Sequence, residues 1–380
     1  MVEPALPISP PVTAPSQISA TTSSGVTSSR PQRHIALALQ GGGAHGAFTW
    51  GVLDRLLDEP DLSIEAISGA SAGALNAIAL AAGFLRDGRA GAQQTLRQLW
   101  ERIAGLGRMS PLQPTPMEHL TPNWRSDWSP APMLFEALTR FLSPYQFNPF
   151  GIDPLRQILL DLIDFEALRG PEAIRLFIAA TRTDSGALRL FANPELTVDA
   201  VLASGCLPSI NQAIKLDDGY YWDGGYSANP ALLPLIANAI APEILLVRVD
   251  PLHDEALPVT ASGIRSRLNR IVFNAPLNAE LRLLDWLHSQ LTAPDLAASD
   301  FGRRLADLKI HTLGADDFMR QLGSASKLTP DWTLLSRLHE VGREAADLWL
   351  TGNTPAPGGQ ASSGQLAAGQ TNLAGLEPQF

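Results

Sequence analysis

Gly69-Ala70-Ser71-Ala72-Gly73 sets a hydroxyl nucleophile among small residues, directly after the apolar run Ile64-Glu65-Ala66-Ile67 and directly before the helix-forming run Ala72–Ala82. A strand, a sharp turn with serine at its tip and then a helix make a nucleophile elbow. Gly69 and Gly73 suit it because the backbone there is strained and side chains would clash. The next helix turns its free N–H groups toward any anion formed on an attacked carbonyl. The chemistry such a serine performs is acyl transfer through a covalent ester. A glycine/serine-rich loop that merely permits close packing would look the same in isolation.

A second block, Gly41-Gly42-Gly43-Ala44-His45-Gly46, also comes after an apolar run and opens a helix. Literally it matches the G-x-G-x-x-G dinucleotide fingerprint, which needs an acid at the end of the second strand. That strand ends in Ile67-Ser68-Gly69, with Asp61 before it and Glu65 within it. The other reading is an oxyanion hole: backbone N–H groups of Gly41, Gly42 and Gly43 converge on one oxygen because no side chain blocks the approach. His45 would add a donor or a charge beside that oxygen, or turn its ring to solvent and contribute only backbone.

The serine needs a base. Tyr221-Trp222-Asp223-Gly224-Gly225 puts a carboxylate at a strand end, where Asp223 could take the Ser71 proton directly. An Asp-Gly pair is also an ordinary turn former. A triad would require a histidine instead; His253, His288, His311 and His339 come later in the chain, and no local context selects one.

The elements needed to hold these groups are legible. His34–Leu39 reads as a buried parallel strand and Ala47–Leu57 as a helix stopped by Pro60, so the chain opens strand–loop–helix–strand–elbow–helix, the signature of an α/β fold with a parallel sheet. Ligands bind such sheets at the C-terminal ends of the strands, where both glycine blocks fall. Helices are expected at Gln93–Arg102, Met133–Phe141, Pro154–Ile163 and Leu196–Ser204. A hairpin is expected from Ile174–Arg182 and Ala187–Phe191, short strands at Tyr220–Trp222 and Glu243–Val249, and long amphipathic helices at Ser266–Leu287 and Asp331–Leu350. Residues 105–153, rich in proline and aromatics, read as a cap. Residues 1–31 and 352–380 have the composition of disordered tails, which leaves a folded part over about 34–350.

Composition narrows the class. With 380 residues and a net charge of −10, the chain has the size of one large domain or two small ones and lacks the basic face of a nucleic-acid binder. The single cysteine, Cys206, allows neither an internal disulfide nor a cysteine zinc site; no histidine pair has metal-ligand spacing, so neither metal nor cofactor is expected. No apolar stretch reaches the ~18 residues of a membrane span, and no secretory signal is visible at the N-terminus. A cytoplasmic protein is expected, with transient, peripheral contact at a membrane surface allowed.

Together the blocks Gly41–Gly46, Gly69–Gly73 and Asp223-Gly224-Gly225, in that order, resemble the patatin-like phospholipase family. Ala203-Ser204-Gly205-Cys206-Leu207-Pro208 and Asn229-Pro230 flank the acid in the same way, and Phe273-Asn274-Ala275-Pro276-Leu277-Asn278 looks like the bacterial branch. The resemblance covers about His34 to Asp250. It implies a three-layer α/β/α fold with a mainly parallel sheet and a Ser71–Asp223 dyad rather than a triad. It also implies a Gly41–Gly43 oxyanion hole and metal-free hydrolysis of ester bonds in phospholipids or other acyl lipids. The family often carries Arg or Lys in the glycine loop where this chain has His45. Two other readings remain in view, a nucleotide-binding protein built on Gly41–Gly46 and a non-catalytic scaffold of the same fold; the joint presence of Ser71, Asp223 and the glycine loop argues against the scaffold.

Overall fold

A computed structural model of the chain describes residues 32–109, 141–238, 241–251, 257–292, 298–352 and 368–370. Their strands are β1 Arg33–Leu39, β2 Leu62–Ala70, β3 Arg175–Arg182, β4 Leu188–Ala192, β5 Ile214–Leu216, β6 Gly219–Asp223, β7 Glu243–Val247, β8 Lys309–Leu313 and β9 Ala368–Gln370. The helices are α1 Gly46–Leu57, α2 Ala72–Met109, α3 Pro144–Phe147, α4 Pro154–Leu162, α5 Phe165–Arg169, α6 Val198–Ser204, α7 Leu233–Ala237, α8 Ala261–Ser289, α9 Asp300–Asp307, α10 Asp316–Gln321 and α11 Trp332–Leu350.

The strands form one sheet in the order β5-β6-β3-β2-β1-β7-β8-β9, with β4 also paired to β3. From β3 to β8 all neighbours are parallel; β4 and β6 on β3, β5 on β6 and β9 on β8 are antiparallel. The β1 register Leu37↔Ile67 and Leu37↔Leu245 puts it at the centre. Its strict alternation divides two cores. Ile35, Leu37 and Leu39 pack with α1, α2 and α11, including Phe48, Leu53, Ile78, Leu335 and Leu338. Ala36 and Ala38 face α7 and α8 through Leu235, Leu277, Leu281 and Leu284. Helices therefore cover both faces of a mostly parallel sheet, as such doubly buried strands require, and the three layers are α/β/α. Each fully buried Leu or Ile contributes about 1.5–3 kcal/mol.

Most expected elements fall within a few residues of their observed bounds. Three differ. The helix after the elbow continues through Gln93–Arg102 as α2, broken only at Asp87 and Gly88, where the dihedrals leave the helical region. β8 went unforeseen because Lys309-Ile310-His311-Thr312-Leu313 mixes polar and apolar residues without a long buried run. The C-terminal stretch expected to be an unstructured tail returns Ala368–Gln370 as an edge strand on β8; an open sheet edge offers backbone partners to a passing segment whatever its side chains. The Met133–Phe141 helix, apart from Phe141, the tail at 1–31 and most of the cap lie outside the described residues.

Candidate active site

β2 runs into α2 through a single residue. Ser71 has φ +52°, the one non-glycine residue with positive φ among those described. A Cβ on Gly73 would lie 2.1 Å from the Leu39 carbonyl oxygen, so the turn against β1 closes only with glycine there. The Ser71 N–H donates to Ser204 Oγ at 2.9 Å and to the Ser204 carbonyl at 3.1 Å. The last residue of α6 thus pins the elbow from the far side.

Asp223 ends β6, in register with Ala180 of β3. Its N–H donates to the Cys206 carbonyl at 2.8 Å, and its own carbonyl accepts from Thr181 Oγ1 at 2.8 Å. Its Oδ1 accepts from the Gly225 N–H at 2.8 Å, whereas Oδ2 is enclosed with no partner in hydrogen-bond geometry. Burial pushes the carboxyl up to about 7; the Gly225 N–H and the nearby Ser71 hydroxyl pull the other way without cancelling it.

The glycine loop faces both groups. The Gly41 N–H is already donated to Asn229 Oδ1 at 2.7 Å, which leaves Gly42 and Gly43: among the described residues neither N–H has a backbone acceptor. Gly43 has φ +58° and lies under the Lys327 backbone, where a Cβ would come within 2.3 Å of the carbonyl oxygen. The His45 ring is buried rather than turned to solvent. Its Nε2 meets Ser326 Oγ at 2.7 Å, and that hydroxyl donates to the Gly323 carbonyl, so Nε2 carries the proton and Nδ1 keeps an unpartnered lone pair. Burial, reinforced by the Lys327 charge, lowers its pKa to about 3; the loop therefore holds a neutral imidazole at neutral pH.

Gly41, Gly42, Gly43, His45, Ser71 and Asp223 all line one cavity of about 310 Å³, at the small end of ligand sites. Leu207, Ile210, Tyr226, Val249, Phe273, Met319 and Leu322 supply its apolar wall, and Asp250, Arg270 and Lys327 its charges. Asp250 is held by Lys327 Nζ at 2.5 Å and by the Gln40 side chain, whose Oε1 accepts from the Val249 and Asp250 N–H groups, both at 2.9 Å. Burial works to raise its carboxyl, but Lys327 outweighs it and holds the pKa below the ordinary value. No local pattern marks Gln40 or Lys327 as site residues, since each acts through a contact remote in the chain; Ser204 and Asn229 stand in the blocks that flank the acid, but their contacts with the Ser71 and Gly41 N–H groups emerge only in the fold. Of the later histidines, His339 pairs with Asp54 at 3.1 Å and His311 lies 3.3 Å from Glu243. Neither they nor His288 lines the cavity, and His253 lies outside the described residues. Among the described residues no three His, Cys, Asp or Glu side chains gather as metal ligands would, and no helix is long and apolar enough to cross a membrane.

Over residues 37–236, just over half its length, the sequence matches the family described as patatin-like phospholipase. The chain belongs to that family. The match runs from β1 to α7 and so contains the glycine loop, the elbow and Asp223. Membership places the chain among lipid acyl hydrolases and disposes of the nucleotide-binding reading, whose second-strand acid is absent as well, since β2 ends in Ser68-Gly69-Ala70. No curated protein gave a sequence match. Solved structures with a measurable likeness include VipD from Legionella pneumophila, at 16% identity and a TM-score of 0.42, covering 85% of this chain and 67% of that one. Another comes from the complex of full-length SpcU with full-length ExoU of Pseudomonas aeruginosa, at 17% identity and a TM-score of 0.26. It covers 84% of this chain and 53%, about half, of that one.

Proposed function

We propose that residues 34–350 form an acyl hydrolase domain in which Ser71 is the nucleophile, Asp223 its base, and the N–H groups of Gly42 and Gly43 the oxyanion donors. The Ser71 hydroxyl gives its proton to Asp223 as Oγ bonds to the ester carbonyl carbon. The carbonyl electron pair moves to oxygen, and the resulting anion is received by Gly42, Gly43 and the N-terminus of α2. Collapse breaks the bond to the alcohol, which leaves with the proton from Asp223; a water deprotonated by Asp223 then releases the acid and regenerates Ser71. The observation that carries this reading is that Ser71, at its positive-φ turn, and the buried, half-unpartnered Asp223 line the same apolar-walled cavity. A base near pH 7 is suited to proton transfer at neutrality. The substrate is a phospholipid or another acyl lipid whose ester reaches a site of this size, with the rest of the molecule outside.

The test is labelling of the full chain by a fluorophosphonate, read by intact mass, beside turnover of a soluble p-nitrophenyl ester. One adduct is expected on the wild type and none on Ser71→Ala. Equal labelling of Ser71→Ala, or an Asp223→Asn variant that turns over at the wild-type rate, overturns the assignment.

A further inference from the structure

The N-terminal half of α8 has two faces of opposite use. At about 100° per residue Ser266, Asn269, Arg270 and Phe273 share one side, and all four line the Ser71 cavity. Phe273 also packs on Tyr226, with ring centroids 4.7 Å apart, beside the Asp223-Gly224-Gly225 turn. The opposite side carries Ile264, Leu268, Ile271 and Val272, whose exposures are 44%, 54%, 55% and 44%. Their spacing, four, three and one, makes a continuous stripe along the helix axis. Leu257 and Val259, just ahead of the helix, are 83% and 82% exposed and extend the apolar surface. A stripe of this kind on a water-facing surface marks an interaction site.

Charge selects the occupant. Residues 261–279 contain Arg265, Arg267 and Arg270 and no Asp or Glu, in a chain whose net charge is −10. Arg265 and Arg267 fall on either side of the stripe when projected down the axis at about 100° per residue. An apolar stripe flanked by arginines is the pattern of a helix lying in the interface of a lipid surface, side chains among the acyl chains and cations at the headgroups. We propose that α8 is the surface by which this protein adsorbs on anionic lipid membranes, its outer face in the bilayer interface and its inner face roofing the cavity. This rests on the lipid hydrolase reading of that cavity, for which it supplies the route: an acyl ester leaves the bilayer past α8 without crossing bulk water.

The experiment is co-sedimentation of the full chain with vesicles of equal parts phosphatidylcholine and phosphatidylglycerol, comparing the wild type with Leu268→Asp/Ile271→Asp and the milder Leu268→Ser/Ile271→Ser. The wild type should pellet, the aspartate variant should bind at least about tenfold more weakly and the serine variant fall between them. Hydrolysis of vesicle esters should fall in parallel, while turnover of the soluble p-nitrophenyl ester and the melting temperature stay unchanged. Both variants pelleting like the wild type overturns the proposal, as does a wild type that stays in the supernatant. So does a wild-type dimer that the variants convert to monomer, because the stripe is then a subunit contact. A lower melting temperature in both variants also overturns it, since another part of the chain then covers the stripe. Loss of all ester turnover in the wild type would instead count against the hydrolase reading, and the pelleting result would still decide the surface.

Discussion

Replacing Asp223 by asparagine should inactivate the protein and, at neutral and alkaline pH, make it more stable. The carboxyl is wholly enclosed and moved from 3.8 to about 7, mainly by burial. In the unfolded chain it ionises near pH 4; in the folded one it keeps its proton until about pH 7. Between these values the folded state binds more protons than the unfolded state, so this group's contribution is fully present below pH 4 and is lost as pH rises to 7. The gap is worth about 4 kcal/mol, each pH unit corresponding to about 1.4 kcal/mol. Asparagine carries no charge, and its Oδ1 can keep the Gly225 N–H bond seen at 2.8 Å, so the variant escapes the loss. Urea unfolding of both proteins at a series of pH values isolates the effect, because every other titrating group cancels in the difference. That difference should grow in favour of the variant by about 4 kcal/mol from pH 4 to pH 7 and then stay level. In the same samples turnover of a soluble ester should fall about 10²–10⁴-fold, and the wild-type rate should rise with pH through about 7. A stability difference that does not change with pH would show that Asp223 is ionised without cost in the folded protein, and the argument from burial would fail.

Two other substitutions separate catalysis from packing. Gly42→Ala would bring a Cβ within 2.4 Å of Val249 Cγ2; the loop must shift, and kcat for a soluble ester should drop about 10²–10³-fold with KM little changed, as steady-state kinetics will show. Gly342→Val lies far from the cavity, where α11 crosses α1 and a Cβ would meet the Phe48 carbonyl at 2.1 Å; it should cost about 3 kcal/mol or more by overpacking, read as a lowered melting temperature.

The parts of the site written in local sequence were legible. The elbow is a five-residue requirement on the backbone, and glycine at Gly69 and Gly73 expresses it directly. Asp223 was legible as an acid at a strand end before two glycines. β1 was legible as a doubly buried strand, because an unbroken apolar run leaves neither face for water. The contributions of remote side chains were not legible. The Gly41 N–H reads as an oxyanion donor until Asn229, 188 residues away, is seen to accept it. His45 reads as a loop histidine turned to solvent until Ser326, 281 residues away, is found on its Nε2. Its neutrality comes from that burial, reinforced by the Lys327 charge.

The cavity is built from two parts of the chain. The family match ends at residue 236, and Ser71, Asp223 and the glycine loop all precede it. Later residues close the rest of the cavity: Val249 and Asp250 after β7, Arg270 and Phe273 on α8, Met319 and Leu322 around α10, and Lys327. Gln40 joins the two parts, since its backbone N–H bonds to the Val247 carbonyl while its side chain grips the Val249 and Asp250 N–H groups and Asn274 of α8. A buried glutamine with so many partners is costly to disturb, which fixes the glycine loop against the later wall. On the proposed assignment, the reacting groups reside in the first part, and the second supplies much of the apolar wall and the charges that would choose among acyl esters. Exchanging apolar residues of that second wall should change which esters are hydrolysed while leaving fluorophosphonate labelling of Ser71 intact.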